Sequence, residues 1–369
     1  MRPGAPYLAA MARRWMKAGI AVAVAGGALA LVGPRLLDTV YYRGPVSDHF
    51  DGERFFNPGR QRAAGGFSPA KMWRIWTGDR AAWPAAVPLR QTKPPARVHG
   101  SAMRVTWIGH ATVLVQTQGL NILTDPVWSE RASPVGFAGP KRVRAPGVAF
   151  ADLPRIDLVL VSHNHYDHLD LATLDRLWRR DRPRIVVPLG NDTLLARRGI
   201  AAAALDWGGR LAIRPDVAVI AERVHHWSSR RGADRNRALW SGFTVALPGG
   251  NLFFAGDTGA GDLAAPGGGW PAAAARRGPV RLALLPIGAY HPRETFGDAH
   301  IDPDQAVAAF RTLGAAQALG IHWGTFQLTG EAIDAPPREL GRARAAAGLA
   351  PDRFRTTEAG EGWDVPALR

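Results

Sequence analysis

The chain has 369 residues, a formal net charge of +15 and no cysteine. The missing thiols exclude disulfides, thiolate metal ligands and a small disulfide-stapled fold. An apolar fraction of 46% suits a large core, so one α/β catalytic unit with an N-terminal extension is expected. Lysine occurs only at positions 17, 71, 93 and 141, so the positive charge is almost all arginine. No long block of like charge and no basic stripe interleaved with aromatics is present. Attraction to anionic lipid fits this balance, and sequence-specific nucleic-acid binding is unsupported.

Residues 1–40 have the form of a targeting segment. Arg2, Arg13, Arg14 and Lys17 precede an uncharged run from Ala18 to Val32, closed by Gly33-Pro34-Arg35. The run lies at the upper limit of a signal-peptide apolar region (~7–15 residues) and just short of a full span (~17–25). Ala28-Leu29-Ala30 offers a cleavage site but lies inside the run, so an uncleaved membrane anchor is preferred to a cleaved signal. The basic flank then predicts a catalytic domain on the periplasmic or extracytoplasmic side. Residues 41–98, rich in Pro, Gly and Arg without periodicity, read as an irregular wrapping segment. Its cluster Met72-Trp73-Arg74-Ile75-Trp76, with Trp83 shortly after, is expected to pack on the domain's own edge in preference to lipid headgroups.

The folded domain occupies 99–369. Strand-like runs at Met103–Ile108, Thr112–Gln116 and Asn121–Leu123 predict an antiparallel meander. Leu158-Val159-Leu160-Val161 suits a strand buried on both faces. It leads directly into Ser162-His163-Asn164-His165-Tyr166-Asp167-His168. His163 and His165, two apart, can aim the same way as the strand ends, with Asp167 and His168 on the following turn. Three imidazoles and a carboxylate in six residues are costly as core and are the groups that hold zinc and its first-row neighbours.

Further on, Leu171, Leu174, Leu177 and Trp178 recur at helical spacing. Arg184–Pro188 predicts a strand and 192–198 a short helix. Strands are expected at Val217–Ala221, Phe243–Leu247, Leu252–Ala255 and Leu282–Pro286. Asp302-Pro303 is a good helix start, with the carboxylate as cap and proline in the first turn. Residues 338–347 read as a surface helix, and the tail beyond Pro351 carries little signal.

The H-x-H-x-D-H stretch resembles the metal-binding signature of the metallo-β-lactamase superfamily. Trp107-Ile108-Gly109-His110-Ala111-Thr112, Thr124-Asp125-Pro126, Gly139-Pro140-Lys141-Arg142, Ala255-Gly256-Asp257-Thr258-Gly259, Pro286-Ile287-Gly288-Ala289-Tyr290 and Ile321-His322-Trp323-Gly324-Thr325-Phe326 follow one another in that order. Together they are similar to its N-acylphosphatidylethanolamine-hydrolysing phospholipase D branch, over roughly residues 104–326. The resemblance implies a four-layer αβ/βα sandwich. It also supplies His226, Asp257 and His322 as further ligands. Asp257 and His322 have support of their own, since each sits at the exit of an apolar run. His226, followed by Trp227, matches the family's His-Trp word, and its neighbour His225 must point to the opposite face.

The implied arrangement puts one zinc on His163, His165 and His226 and a second on Asp167, His168 and His322, with Asp257 bridging. Asp125 is the candidate acceptor for a ligand imidazole N–H. His300, in Ala299-His300-Ile301-Asp302-Pro303, matches a His-x-Asp-Pro word of the branch. It is a candidate for binding phosphate or protonating the leaving alcohol, with capping or core packing as the plain alternative. His110 is expected to be structural. Glu294-Thr295 stand where the animal phospholipases carry bulky aromatics, a departure that touches lipid recognition and leaves the metal chemistry alone.

The resemblance implies a zinc-dependent phosphodiesterase releasing N-acylethanolamine and phosphatidate from N-acylphosphatidylethanolamine. Catalytic roles fall to Asp167, Asp257 and His300, and two Zn2+ are the expected cofactors. The alternative is a lactonase or phosphate-ester hydrolase of small metabolites with the same site. A di-iron oxidoreductase would want more carboxylates among its ligands. Expected partners are a phospholipid or small-molecule ester substrate and a membrane, with no nucleic acid and a homodimer allowed.

Overall fold

The computed structural model describes residues 38–59 and 80–368. The first sheet opens as an antiparallel meander of β1 (Met103–Gly109), β2 (Thr112–Thr117) and β3 (Leu120–Thr124). It continues in parallel through β4 (Leu158–Leu160), β5 (Arg184–Pro188) and β6 (Ala203–Leu205). The second sheet repeats this plan. β7 (Arg210–Arg214), β8 (Val217–Glu222), β9 (Gly242–Ala246) and β10 (Asn251–Phe254) are antiparallel neighbours. β11 (Val280–Pro286), β12 (Gln317–Ile321) and β13 (Phe354–Arg355) then add in parallel. Finally β14 (Gly362–Val365) returns to the edge of the first sheet, pairing antiparallel with β1.

Alternation along β4 shows how the layers form. Leu158 and Leu160 belong to the core shared with the second sheet, whereas Val159 and Val161 belong to a second cluster with Leu174 and Leu177 of α1 (Leu171–Asp181). A parallel strand covered on both faces needs such a continuous apolar run. The short helix α2 (Asn191–Ala196) adds Leu194 and Leu195 to that second cluster. Across the molecule, α3 (Gly269–Ala275) touches β8. Beyond the single turn α4 (Arg293–Phe296), α5 (Pro303–Leu313) lies against β11, flanked by α3 and by α6 (Ala335–Ala346). The order helix, sheet, sheet, helix is the expected four-layer sandwich. α5 starts as expected: the Asp302 side chain accepts from Gln305 N at 2.8 Å, and Asp302 N donates back to Gln305 Oε1.

The described part of 41–98 contains no named helix or strand. Tyr41, Phe50 and Phe55 are buried in the two clusters, and Val87 N donates to Val143 O. Trp83 is half-buried, its Nε1 donating to Glu331 O. Trp73, Trp76 and the anchor expected at Ala18–Val32 lie outside the described residues. Among the described residues, no helix is long and apolar enough to cross a membrane.

Candidate metal centre

Polar side chains from both sheets meet where the strands end. His110 follows β1, Asp125 follows β3, and His163 to His168 follow β4. His226 lies beyond β8, Asp257 beyond β10 and His322 directly beyond β12. At a carboxyl end the ladder stops, so the chain can turn a polar side chain toward the gap between elements. Three of these exits are left-handed without being glycine: His110 (φ 55°), Asp125 (φ 30°) and His322 (φ 62°). Such conformations persist where surrounding contacts hold them, and they gather at functional sites. Gly256 explains how close the sheets come: with φ 61°, a Cβ there would lie 2.4 Å from Ser162 Cβ. A Cβ on Gly288 would lie 2.3 Å from the carbonyl oxygen of His322.

Two sets of donor atoms face one another. In the first, His165 Nδ1 is 2.7 Å from His163 Nε2 and 3.4 Å from His226 Nε2. In the second, Asp167 Oδ2 is 3.3 Å from both His168 Nε2 and His322 Nε2. Asp257 Oδ2 completes it, 3.1 Å from His168 Nε2 and 3.0 Å from His322 Nε2. The same oxygen is 3.9 Å from His226 Nε2, so Asp257 stands between the sets. Tetrahedral ligands with bonds of ~2.0–2.1 Å sit ~3.3 Å from one another, which is the spacing of the second set. His168 Nε2 and Asp257 Oδ1 are buried without a hydrogen-bond partner among the described residues. Orphaned buried atoms are costly unless something else satisfies them, and a divalent ion fits both sets.

Behind the rings, a second group of contacts fixes which nitrogen faces inward. His226 Nδ1 donates to Ala299 O at 3.0 Å, leaving Nε2 with its lone pair toward the donors. His168 Nδ1 donates to Asp125 Oδ2 at 2.6 Å. That carboxylate also accepts from Ser162 N (2.7 Å) and Ser162 Oγ (2.6 Å), while Ser162 Oγ accepts from His163 Nδ1 (2.9 Å). Asp125 thus orients His168 directly and His163 through Ser162, the place expected for it behind a ligand imidazole. Beneath His322, Trp107 and Trp323 stack at 4.9 Å, and His110 O accepts from both Trp107 Nε1 and His322 N.

Charge is divided between the sets. Burial pushes His163 and His226 well below the ordinary imidazole range and His165 down to about 3, so these rings are neutral donors. Burial also opposes charge on His168 and His322, but Asp257 and Asp167 outweigh it at both, helped at His168 by Asp125. His168 is held well above the usual range and His322 is pushed up to about 9. In return the imidazoles, His168 foremost, overcome the burial of Asp167 and Asp257 and hold both carboxyls well below theirs.

All seven residues named as ligands therefore come together, although they are spread along the chain from His163 to His322. His300 joins them: its Nδ1 lies 3.7 Å from Asp257 Oδ2 and its ring stacks on His322 at 5.5 Å. His225 points elsewhere, lining a cavity of about 810 Å³ beside the centre. His110 is closer to the chemistry than a strand-turn support, since its Nε2 donates to Asp167 Oδ2 at 2.9 Å. Its position directly after a buried strand was the available signal. Arg230 carried none, yet its Nη1 donates to both Asn164 O and Leu169 O and holds the metal loop from behind.

A family model described as beta-lactamase superfamily domain matches residues 120–323. The chain is 37% identical over 280 residues to N-acyl-phosphatidylethanolamine-hydrolyzing phospholipase D 1 of Caenorhabditis elegans, covering 72% of this chain and 76% of that one. Among solved structures it is similar to a metallo hydrolase from Ignicoccus hospitalis, with 22% identity, a TM-score of 0.55, and 73% and 100% of the two chains covered. It shares the fold as well with CmlA, a diiron β-hydroxylase from Streptomyces venezuelae, with 21% identity, a TM-score of 0.51, and 73% and 55% covered. The chain belongs to the metallo-β-lactamase superfamily, resembles its N-acylphosphatidylethanolamine-hydrolysing branch, and is a metal-dependent hydrolase.

Proposed function

We propose that this hydrolase is a membrane-associated, zinc-dependent phosphodiesterase that converts N-acylphosphatidylethanolamine to N-acylethanolamine and phosphatidate. The observation that carries the reading is the pair of adjoining donor sets joined at Asp257. His163, His165 and His226 would hold one ion, and Asp167, His168 and His322 the other. Five imidazoles among these donors suit zinc. When bound, two such ions supply Lewis acidity that lowers the pKa of water and neutralises charge on a phosphoryl oxygen.

The chain's own residues do the rest. Asp125 and Ala299 O hold the rings in the orientation that turns their lone pairs inward. The segment that contains His300 is pinned at both ends of the site, because Ala299 O receives His226 Nδ1–H and Ile301 N donates to Thr258 O. His300 Nδ1 has no hydrogen-bond partner among the described residues, and burial pushes its pKa down to about 4. A neutral, fixed imidazole there is placed to bind the phosphate or to move a proton at the leaving oxygen. Membrane association and a catalytic domain outside the cytoplasm are supported by the basic flank and apolar run of residues 1–40.

One observation favours the second reading, hydrolysis of a small polar phosphate ester or lactone. The cavity beside the centre is lined by Arg223, Asp262, Arg293 and Glu294, a charged wall unlike an acyl channel. The deciding experiment is metal analysis coupled to turnover of N-acylphosphatidylethanolamine in detergent, a lactone and a simple phosphodiester. Turnover of the lipid with about two zinc ions per chain supports the phospholipase. A fully loaded protein that hydrolyses only the lactone or the small ester would replace it with the second reading.

A further inference from the structure

We propose that residues 38–57 brace the first donor set, with Asn57 and Tyr41 as positioning residues for the ion on His163, His165 and His226. The reason lies in the loop that carries His226. It runs over 223–241, between β8 and β9, with no helix or strand of its own. Loops above about 12–15 residues without secondary structure are uncommon, and their order must come from contacts outside them.

The extension supplies such contacts. Asp38 Oδ1 accepts from Arg237 Nε (2.7 Å), and the Glu53 carbonyl accepts from Arg237 Nη1 (2.9 Å). Tyr41 Oη donates to Asp234 Oδ2 at 2.7 Å. Arg54 reaches the carbonyls of Ala233 and Arg235, and Phe55 N donates to Asn236 O at 2.8 Å. Asn57 Nδ2 donates to the carbonyl of His226 itself, 2.9 Å away. Tyr41 is buried in the cluster beneath α1 and Phe55 in the core between the sheets, so the brace is itself held at both ends.

Two routes run from the brace to the donors. One is direct: His226 is fixed at its ring by Ala299 O and at its backbone by Asn57. The other passes through the buried Asp234, which accepts Tyr41 O–H and the backbone N–H groups of Arg230 and Arg231. Arg230, so fixed, accepts the Tyr166 hydroxyl on its carbonyl (3.0 Å). Its Nη1 donates to Asn164 O (3.0 Å), the carbonyl between His163 and His165.

The second set rests on other supports, Asp125 behind His168 and His110 on Asp167. The brace touches it only through Arg230 Nη1 on Leu169 O, one residue beyond His168. Donors already in place bind an ion more tightly, because little ordering is left to do. Asn57 acts on His226 alone, so its loss should be felt at the first ion and not at the second. The proposal rests on the two-ion reading of the centre and is independent of the substrate.

Zinc competition between the full-length protein and a chromogenic chelator separates the two affinities, and His226→Ala marks the step that belongs to the first set. Asn57→Ala should weaken that step about tenfold, the scale of one hydrogen bond, and leave the other within about twofold of wild type. Tyr41→Phe, which loses only a hydroxyl, should weaken the same step in the same direction. A thermal melt shows that each variant is folded. Arg281→Ala, which loosens the join of β14 to the first sheet, is the control for lost stability: its melting temperature should fall while neither zinc step moves. A folded Asn57→Ala protein whose first step stays within about twofold of wild type overturns the brace. Equal weakening of both steps, reproduced by Arg281→Ala, assigns the effect to general stability and overturns it too. If the wild type holds a single ion, the two-ion reading fails and the brace is judged on that ion. It stands if Asn57→Ala weakens binding about tenfold and Arg281→Ala does not, and it falls otherwise.

Discussion

Replacing Asp125 by Asn keeps the shape of a fully buried side chain and changes only which of its atoms accept hydrogen bonds. The carboxylate accepts Ser162 N–H on Oδ1, and both Ser162 O–H and His168 Nδ1–H on Oδ2. An amide has one acceptor and one donor, so either orientation sets its NH2 against a donor. With NH2 at the Oδ1 place it faces Ser162 N–H. At the Oδ2 place it faces the His168 ring and removes the acceptor of Ser162, which in turn orients His163. Losing one hydrogen bond to a charged group costs about 1.5–3 kcal/mol. Affinity for the ion held by His168 and His322 should then fall by about 10–100-fold, with the ion on His163, His165 and His226 less affected. Competition between the protein and a chromogenic chelator for zinc measures this, with a thermal melt to show that the fold persists. If the Asp125→Asn variant is folded and binds the second ion within about twofold of wild type, the orienting role is refuted.

Asp257→Ala removes the oxygen shared by the two sets, so bound metal should drop from about two ions per chain to one or fewer, with activity falling alongside; metal analysis of the purified protein reads it. His300→Ala should leave metal content unchanged and lower kcat on a soluble diester by about 10²–10⁴-fold, whereas a packing role would leave kcat near wild type. Metal uptake should release protons. Asp257 and Asp167 hold a proton on His168 and His322, with Asp125 adding to the hold on His168, and a metal must displace both, so affinity for the second ion should rise with pH through about 9, where His322 loses its proton. Calorimetry in buffers of differing ionisation heat checks this, and no proton release near neutrality would contradict it. Arg281→Ala should destabilise the fold by about 3 kcal/mol in denaturant unfolding, because its buried guanidinium ties Ser101 O, Val365 O and Pro366 O together where β14 meets the sheet.

Much of this site could be read from the chain because its first ligands are neighbours in it. His163, His165, Asp167 and His168 occupy six positions, and the apolar run before them marks the strand that presents them. A strand covered on both faces cannot be mistaken for a solvated segment, so β1, β4, β10 and β11 were legible within a residue or two. Asp302-Pro303 likewise marked the start of α5, since a cap acts over three residues. β6 and β7 were missed because neither is fully buried: β6 is only three residues long and alanine-rich, and β7 is bounded by Arg210 and Arg214. β13 and β14 were missed because short edge strands owe their existence to partners far away in the chain, Val365 opposite Met103 among them.

By itself, then, the sequence determined what the site is made of: local spacing set the metal-binding word, and side-chain chemistry set its taste for a divalent ion. Tertiary structure decided the distances. Only folding sets His110 Nε2 on Asp167, 57 positions away, and His322 Nε2 beside the same carboxylate from 155 positions away. Only folding turns Asp125 toward the back of His168, 43 positions on, when the same residue before proline could have closed an ordinary turn. The physical reason is range. A residue's propensity and charge act over a few positions, while ligand geometry depends on how two separately wound sheets bring the side chains at their strand ends together, His168 Nε2 to 3.1 Å from Asp257 Oδ2 and His322 Nε2 to 3.3 Å from Asp167 Oδ2.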